Sequence, residues 1–293
     1  MECTIYDPNL HALAAADRGT VVVVSPHMDD AVWSIGGLIA ALASSGARVI
    51  VATAFSEITA KASTFGREFL NRGGLDAETA TIQRRKEDTE AIRLLGAKPC
   101  RLGLLDAICR LPATYTHKYR IAGASARVAA NDPGPEQLRR SLDQLVCAVN
   151  PVMLLAPLGI GSHVDHQVVA KAALDLVDRH RPTFFFEDFP YAILSPFVLS
   201  GLPAVAADRG LHLSPEVVQL REQLPLHLKA AARYTTQTVS FFDDVKGFTA
   251  ALHNHLHSVG AACGQSDLPA IRLWRPRRII RRTGATSPAN ATN

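Results

Sequence analysis

Apolar residues along this chain fall into short unbroken runs separated by amphipathic stretches. The run VVVVS (21–25) is followed by AVWSIGGLIAALASSG, where Val32, Ile35, Leu38, Ile39 and Leu42 recur at helical spacing and Gly46 suits a helix end. ARVIVATAF predicts a second buried strand, ETATIQRRKEDTEAIRLLGA a charged amphipathic helix, and CRLGLL a third strand. PEQLRRSLDQLVCAV reads as a helix, PVMLLAP as a fourth strand, VDHQVVAKAALDLVDRH as a helix and PTFFFEDF as a further strand. Strands apolar on both faces that alternate with helices predict an α/β fold, a Rossmann-like parallel sheet sandwiched between helices. The stretches 57–74 and 106–133 read as long loops, where compact domains often carry function.

Composition fits one large domain, expected over residues 1–274: the chain has 293 residues, 47% hydrophobic and 20% charged. The net charge of +4 is too small to indicate nucleic-acid binding, and much of the excess lies in the closing RPRRIIRRTGATSPANATN. Residues 275–293 are expected to be a basic, disordered tail. The first residues lack the basic start and apolar core of a secretory signal, and no apolar run is long enough to span a bilayer. Cys3, Cys100, Cys109, Cys147 and Cys263 form no CxxC pair, which fits a reducing cytoplasm better than a disulfide framework or a thiolate zinc site. A cytoplasmic protein with no nucleic-acid or membrane partner is expected, and a homo-oligomer is compatible with the pattern.

The pattern breaks where SPHMDD follows the first run and GIGSHVDHQ follows the fourth strand. Ligands of open α/β sheets bind beyond the carboxyl ends of the strands, so both clusters are expected on one rim. His27 with Asp29 or Asp30, together with His163 or His166, supplies two imidazoles and a carboxylate. That is the donor set of a catalytic zinc, which keeps one position for water. Hydrolysis also needs a carboxylate outside the metal shell as general base. The competing reading has either aspartate simply capping the helix at Ala31.

PHMDDAVWSIGG resembles the PHPDDE signature of the PIG-L/LmbE-like zinc-dependent deacetylases, and HVDH resembles their HPDH motif. Between them, RRKEDTEAIRLLGA is similar to the family's Arg-x-x-Glu-x-x-x-Ala-x-x-x-Leu-Gly helix through Arg84, Glu87, Ala91, Leu95 and Gly96. The motifs span roughly the first two-thirds of the chain in the family's order. The resemblance implies one zinc ion per chain, held by His27, Asp30 and His166, with Asp29 as general base. It also implies that His163 stabilises the oxyanion or protonates the leaving amine, with Asp165 as its orienting carboxylate. The implied reaction removes an acyl group, through a linear amide, from an N-acylated amino sugar or a related sugar-containing natural product. Ala31 replaces the signature's Glu, and Met28 and Val164 replace its prolines. This marks a DDA variant of the kind associated with natural-product or glycan pathways.

Arg84, Asp106, Arg110 and Tyr191 are the candidate substrate-binding residues. Glu187 and Asp188 are candidates for the pocket wall or for holding site residues from behind, and Tyr115, Tyr119 and Arg120 of the 106–133 loop for stacking on sugars and bonding their hydroxyls. The HNHLH imidazoles of His253, His255 and His257 are expected on different faces of a surface helix. Gly36 and Gly37 do not make a GxGxxG fingerprint, so no dinucleotide cofactor is expected. Two other function classes compete with hydrolysis. A non-haem iron(II) oxygenase would use the same two-His-one-carboxylate set but is usually built on a β barrel. A non-catalytic sugar-binding protein would have no need of the complete set Asp29, Asp30, His163 and His166.

Overall fold

The apolar runs become strands because each is buried from both sides: Val21 to Val24 have no exposed surface at all. The computed structural model describes residues 4–5, 19–59, 62, 64–110, 127–177, 181–194, 200–264 and 268–279. The first half runs β1 (Thr4–Ile5), β2 (Thr20–Ser25), α1 (Asp30–Ser44), β3 (Arg48–Thr53), α2 (Thr64–Arg72), α3 (Ala80–Leu94), β4 (Lys98–Arg101) and α4 (Ala107–Arg110). Then come α5 (Gly134–Val149), β5 (Met153–Pro157), α6 (Val164–Leu174), β6 (Thr183–Phe186), α7 (Tyr191–Leu194) and α8 (Leu202–Asp208). The chain continues through β7 (Leu211–Gln219), α9 (Leu224–Ala231), α10 (Thr235–Thr238), α11 (Val245–Ala262) and β8 (Ala270–Arg278).

The sheet order is β1-β7-β8-β6-β5-β2-β3-β4. From β6 to β4 all neighbours are parallel, which is the expected Rossmann-like core. Alternate residues feed opposite layers: Val21, Val23, Phe184 and Phe186 pack with α1 on one side. Val22, Val24 and Phe185 pack with α5 and α6 on the other.

Beyond the parallel core the sheet is extended by β8, which runs antiparallel to both β6 and β7. LHLSPEVVQ and AIRLWRPRR mix charges and prolines with apolar residues and pair Leu213 with Pro276 and Pro215 with Trp274. These strands lie outside the buried centre and need no continuous apolar run, so the signal that found the others is absent. Residues 57–74 are also not one loop, since α2 occupies most of their second half. Within 106–133, α4 is the first turn, while Tyr115, Tyr119 and Arg120 lie outside the described residues, as do residues 280–293. Residues 275–278, expected in a disordered tail, instead form the end of β8, paired with β7. No described helix is long and apolar enough to cross a membrane.

Phe185, with no exposed surface, is the aromatic keystone of the second layer. Phe185→Ala should cost roughly 3–5 kcal/mol by leaving a cavity there. Urea denaturation should show a lower midpoint at an unchanged m-value; a cost below about 1 kcal/mol would contradict this packing.

Candidate active site

The adjacent aspartates do not cap α1, because Ser25 does. Its Oγ accepts from the amide of Ala31 at 3.0 Å and donates to the carbonyl of His27 at 2.6 Å. This leaves both carboxylates for other work. Asp30 turns back, accepting from the His27 amide at 2.8 Å. Its Oδ2 lies 3.2 Å from His27 Nδ1 and 3.2 Å from His166 Nε2. Asp29 makes no side-chain capping bond and opens onto the cavity described below.

His166 reaches this point from the first turn of α6, after β5. Its Nδ1 lies 2.6 Å from Asp188 Oδ1, and its Nε2 is fully buried without a hydrogen-bond partner. Asp188 Oδ2 is fixed in turn by the amides of Gly159 and Ile160. His27 is held in the same way, with Nε2 3.0 Å from Asp165 Oδ2. Each imidazole therefore has one nitrogen on a carboxylate and the other facing Asp30, the arrangement that metal-binding histidines use to fix their orientation. Ligand bonds of about 2.0–2.1 Å in a tetrahedral zinc shell place neighbouring donors about 3.3 Å apart. The two 3.2 Å separations and the unpartnered His166 Nε2 fit such an ion.

Asp165 differs from the expectation. Its carboxylate does not orient His163: Oδ2 receives His27 and the Ala107 amide, and Oδ1 receives Arg110 at 2.5 Å. His163 is instead the N-cap of α6, accepting from the Asp165 amide at its Nδ1. Arg110 is corrected as well. Its guanidinium is buried on Asp132, Asp165 and the Leu105 carbonyl, so none of it is left to reach a substrate. A short helix after β4 points the side chain inward, under the site, where the sequence suggested only the rim.

The electrostatics follow from this crowding. Burial by itself would lower the His166 imidazole and raise the Asp30 carboxyl. Their proximity wins: Asp30 and Asp188 lift His166 to about 9, while His166 and His27 hold Asp30 well below the usual carboxylate range. His27 is raised well above its ordinary value against burial, chiefly by Asp106 and Asp165. His163 goes the other way, down to about 3, because burial and the neighbouring His27 disfavour its charge. It is a neutral imidazole whose Nδ1 accepts, so its hydrogen sits on Nε2. Burial and then Asp30 push Asp29 well above the usual range.

These groups open into a cavity of about 350 Å³. Asp106, Arg84 and Tyr191 line it with Asp29, Asp30, His27 and His163, while Trp33, Phe69 and Phe241 give it aromatic walls. The buried Arg84 guanidinium sits over the Phe69 ring at 5.6 Å, with its Nε unpartnered. A larger cavity, about 460 Å³ between α5, α6 and α8, contains none of these groups. Gln237 also lines the site, and nothing in the sequence marked it. Glu87 accepts from Thr235 Oγ1, Thr236 Oγ1 and the Thr236 amide, pinning α10 to α3. Gln237 then donates to the carbonyl of Met28 at 2.7 Å. None of the HNHLH imidazoles lines this cavity. Contrary to the expected alternation, His253 and His257 are one turn apart and share a face, ring centroids 4.5 Å apart, and His255 packs on Phe189.

The chain is similar to known deacetylases. The family model for PIG-L, GlcNAc-PI de-N-acetylase, matches residues 22–177. A 2'-N-acetylparomamine deacetylase of Streptomyces fradiae is 34% identical over 189 residues, 64% of this chain and 62% of that protein, so the match spans less than two thirds of that relative's length. The solved structure of the deacetylase of the antimicrobial A40926 pseudoaglycone superposes with a TM-score of 0.71 at 29% identity, covering 91% of this chain and 100% of that one. A zinc-inhibited form of a teicoplanin deacetylase gives 0.73 at 25% identity over 88% and 98%. Since the family model covers more than half of the chain and contains both histidine–aspartate motifs, this chain belongs to the PIG-L family.

Proposed function

We propose that this protein is a zinc-dependent hydrolase that removes the acetyl group from an N-acetylated amino sugar within a natural-product intermediate. The observation that carries this reading is an uncapped carboxylate, Asp29, beside a donor set whose outer nitrogens are each fixed by a second carboxylate. His27, Asp30 and His166 would hold one zinc ion. The relatives named above are deacetylases of 2'-N-acetylparomamine, of the A40926 pseudoaglycone and of teicoplanin, which favours an N-acetylated group on a natural-product scaffold. Iron(II) would accept the same donors, but the relatives and the α/β sheet favour hydrolysis over oxygenation.

A zinc ion held by His27, Asp30 and His166 would supply Lewis acidity and lower the pKa of a water toward neutrality. Asp29, raised by burial and Asp30, is poised to take that proton. The water oxygen would bond to the amide carbon, the C–N bond break, and Asp29 return the proton to the leaving amine, releasing acetic acid, which ionises to acetate in solvent. His163 donates its Nε2–H to the carbonyl oxygen as charge develops there, acting as a neutral donor without becoming imidazolium. Arg84, Asp106 and Tyr191 contact the sugar from the cavity wall, and Tyr191 stays a phenol because burial and Asp30 raise it well above its ordinary value.

Asp29→Asn should keep zinc and fold while kcat for acetate release falls by about 10²-fold or more. Asp30→Asn should lose zinc on dialysis, which metal analysis reads directly. Zinc retained by Asp30→Asn and lost by Asp29→Asn would reverse the assignment.

Zinc entry should also release protons. With His166 at about 9 and His27 raised in the metal-free protein, both imidazoles carry an extra proton near neutrality that the metal must displace. Affinity should therefore weaken as pH falls. Calorimetric titration at pH 7 in two buffers of different ionisation enthalpy should report release of at least one proton per zinc, and no release would contradict the ligand set.

A further inference from the structure

One fully buried titratable side chain, His227 on α9, has no part in the site above, yet it is inserted into the helix that carries the aspartates. α1 is broken at Ile35, whose φ of −135° and ψ of 24° are not helical. In an unbroken helix the carbonyls of Val32 and Trp33 would accept from the amides of Gly36 and Gly37. Here they face His227 Nε2 at 2.8 and 3.1 Å, and the Gly36 amide lies 3.2 Å from the same nitrogen. Two carbonyls at this range require the hydrogen on Nε2. Burial lowers the imidazole to about 4, so it is neutral, and Nδ1 is left buried with no partner.

Gly36 is needed for this approach, because a Cβ there would lie 2.6 Å from His227 Cδ2, while one at Gly37 would meet Leu220 Cδ1 at 2.9 Å. A side chain wedged into the helix ladder at a glycine pair is an ordinary cause of a sharp kink. The turn before the kink is tied down further: Trp33 Nε1 donates to the Ala231 carbonyl at 3.2 Å, and the Phe189 amide donates to Ser34 Oγ at 3.1 Å. Mid-helix glycines, a non-helical residue within the helix and an empty buried nitrogen all cost stability. Packing alone would favour alanine at Gly36 and an apolar residue at His227.

We propose that His227 is a positioning residue: it holds α1 bent so that the short first turn aims Asp30 at the two imidazoles and leaves Asp29 facing the cavity. This rests on the reaction proposed above. The test compares the parent with Gly36→Ala, His227→Ala, the double variant and His227→Gln, whose amide nitrogen reaches about as far as Nε2. Each is measured for metal-free thermal midpoint, zinc affinity by chelator competition, and kcat and KM. Gly36→Ala alone should be destabilised by the clash, and His227→Ala alone by its hole and two deserted carbonyls. In the double variant the new methyl enters the vacated space and the ladder closes. Its thermal midpoint should return to the parent value or above, while zinc affinity and kcat stay at least tenfold lower. His227→Gln should restore both to within a few-fold of the parent. A double variant that regains stability, zinc affinity and kcat together would overturn the proposal. So would one no more stable than the single variants, because the wedge would then not be what keeps the ladder open. If the parent releases no acetate from any N-acetylated sugar, the proposed reaction fails, and the zinc affinities of the same variants still decide the role of His227.

Discussion

The constraint on which this structure depends is the burial of many like charges at the carboxyl rim of one sheet. Asp29, Asp30, Asp165 and Asp188 are all less than a tenth exposed. Charge buried at this density is costly unless every group is matched, and removing one partner strands the next. The matching runs outward as a chain. Asp30 faces His27 and His166; His27 rests on Asp165, Asp165 on Arg110, and Arg110 on Asp132. On the other side His166 rests on Asp188, which is fixed by backbone amides. The ligand-bearing loops after β2 and β5 and the turn after β6 are thus tied into one network, with α4 and the start of α5. The cation proposed above would enter this network in place of the protons that the raised His27 and His166 carry.

The chain beyond the family match closes the site. Tyr191, Gln237 and Phe241 supply walls, Asp188 fixes the His166 imidazole, and α9 presses on the opening of α1. Glu87 and Asp88 on α3 reach across to this part of the chain, Glu87 through Thr235 and Thr236 and Asp88 through the Tyr234 hydroxyl. The helix signature read in the sequence is therefore a brace: its Glu secures α10 beside the site, while its Arg84 lies in the cavity.

What could be read in advance was what local pattern encodes. Buried parallel strands announce themselves as apolar runs, and topology then places whatever follows them on a common rim, so His27, Asp29, Asp30, His163 and His166 meet as expected. Long-range pairing has no such signature. Arg110 next to Asp106 suggested a rim residue, and only the fold shows its guanidinium turned under the site onto Asp132 and Asp165. The pairing of Asp165 with His27 spans 138 positions and could not be distinguished from a pairing with its near neighbour His163. β7 and β8 escaped because partly covered strands tolerate Pro215, Pro276 and alternating arginines. Gln237 escaped because an amide between threonines carries no periodicity.

In the proposed site Asp30, not His163, joins His27 and His166 around one zinc ion. His163 also brings a ring nitrogen within 4.8 Å of theirs, so the three histidines form the geometric rival. Diffraction from zinc-loaded crystals on either side of the zinc absorption edge decides between them. The account predicts one strong anomalous peak per chain, about 2.0–2.2 Å from Asp30 Oδ2, His27 Nδ1 and His166 Nε2, with His163 outside bonding distance. A peak bonded to all three histidines with Asp30 displaced, or a peak away from these side chains, would contradict it.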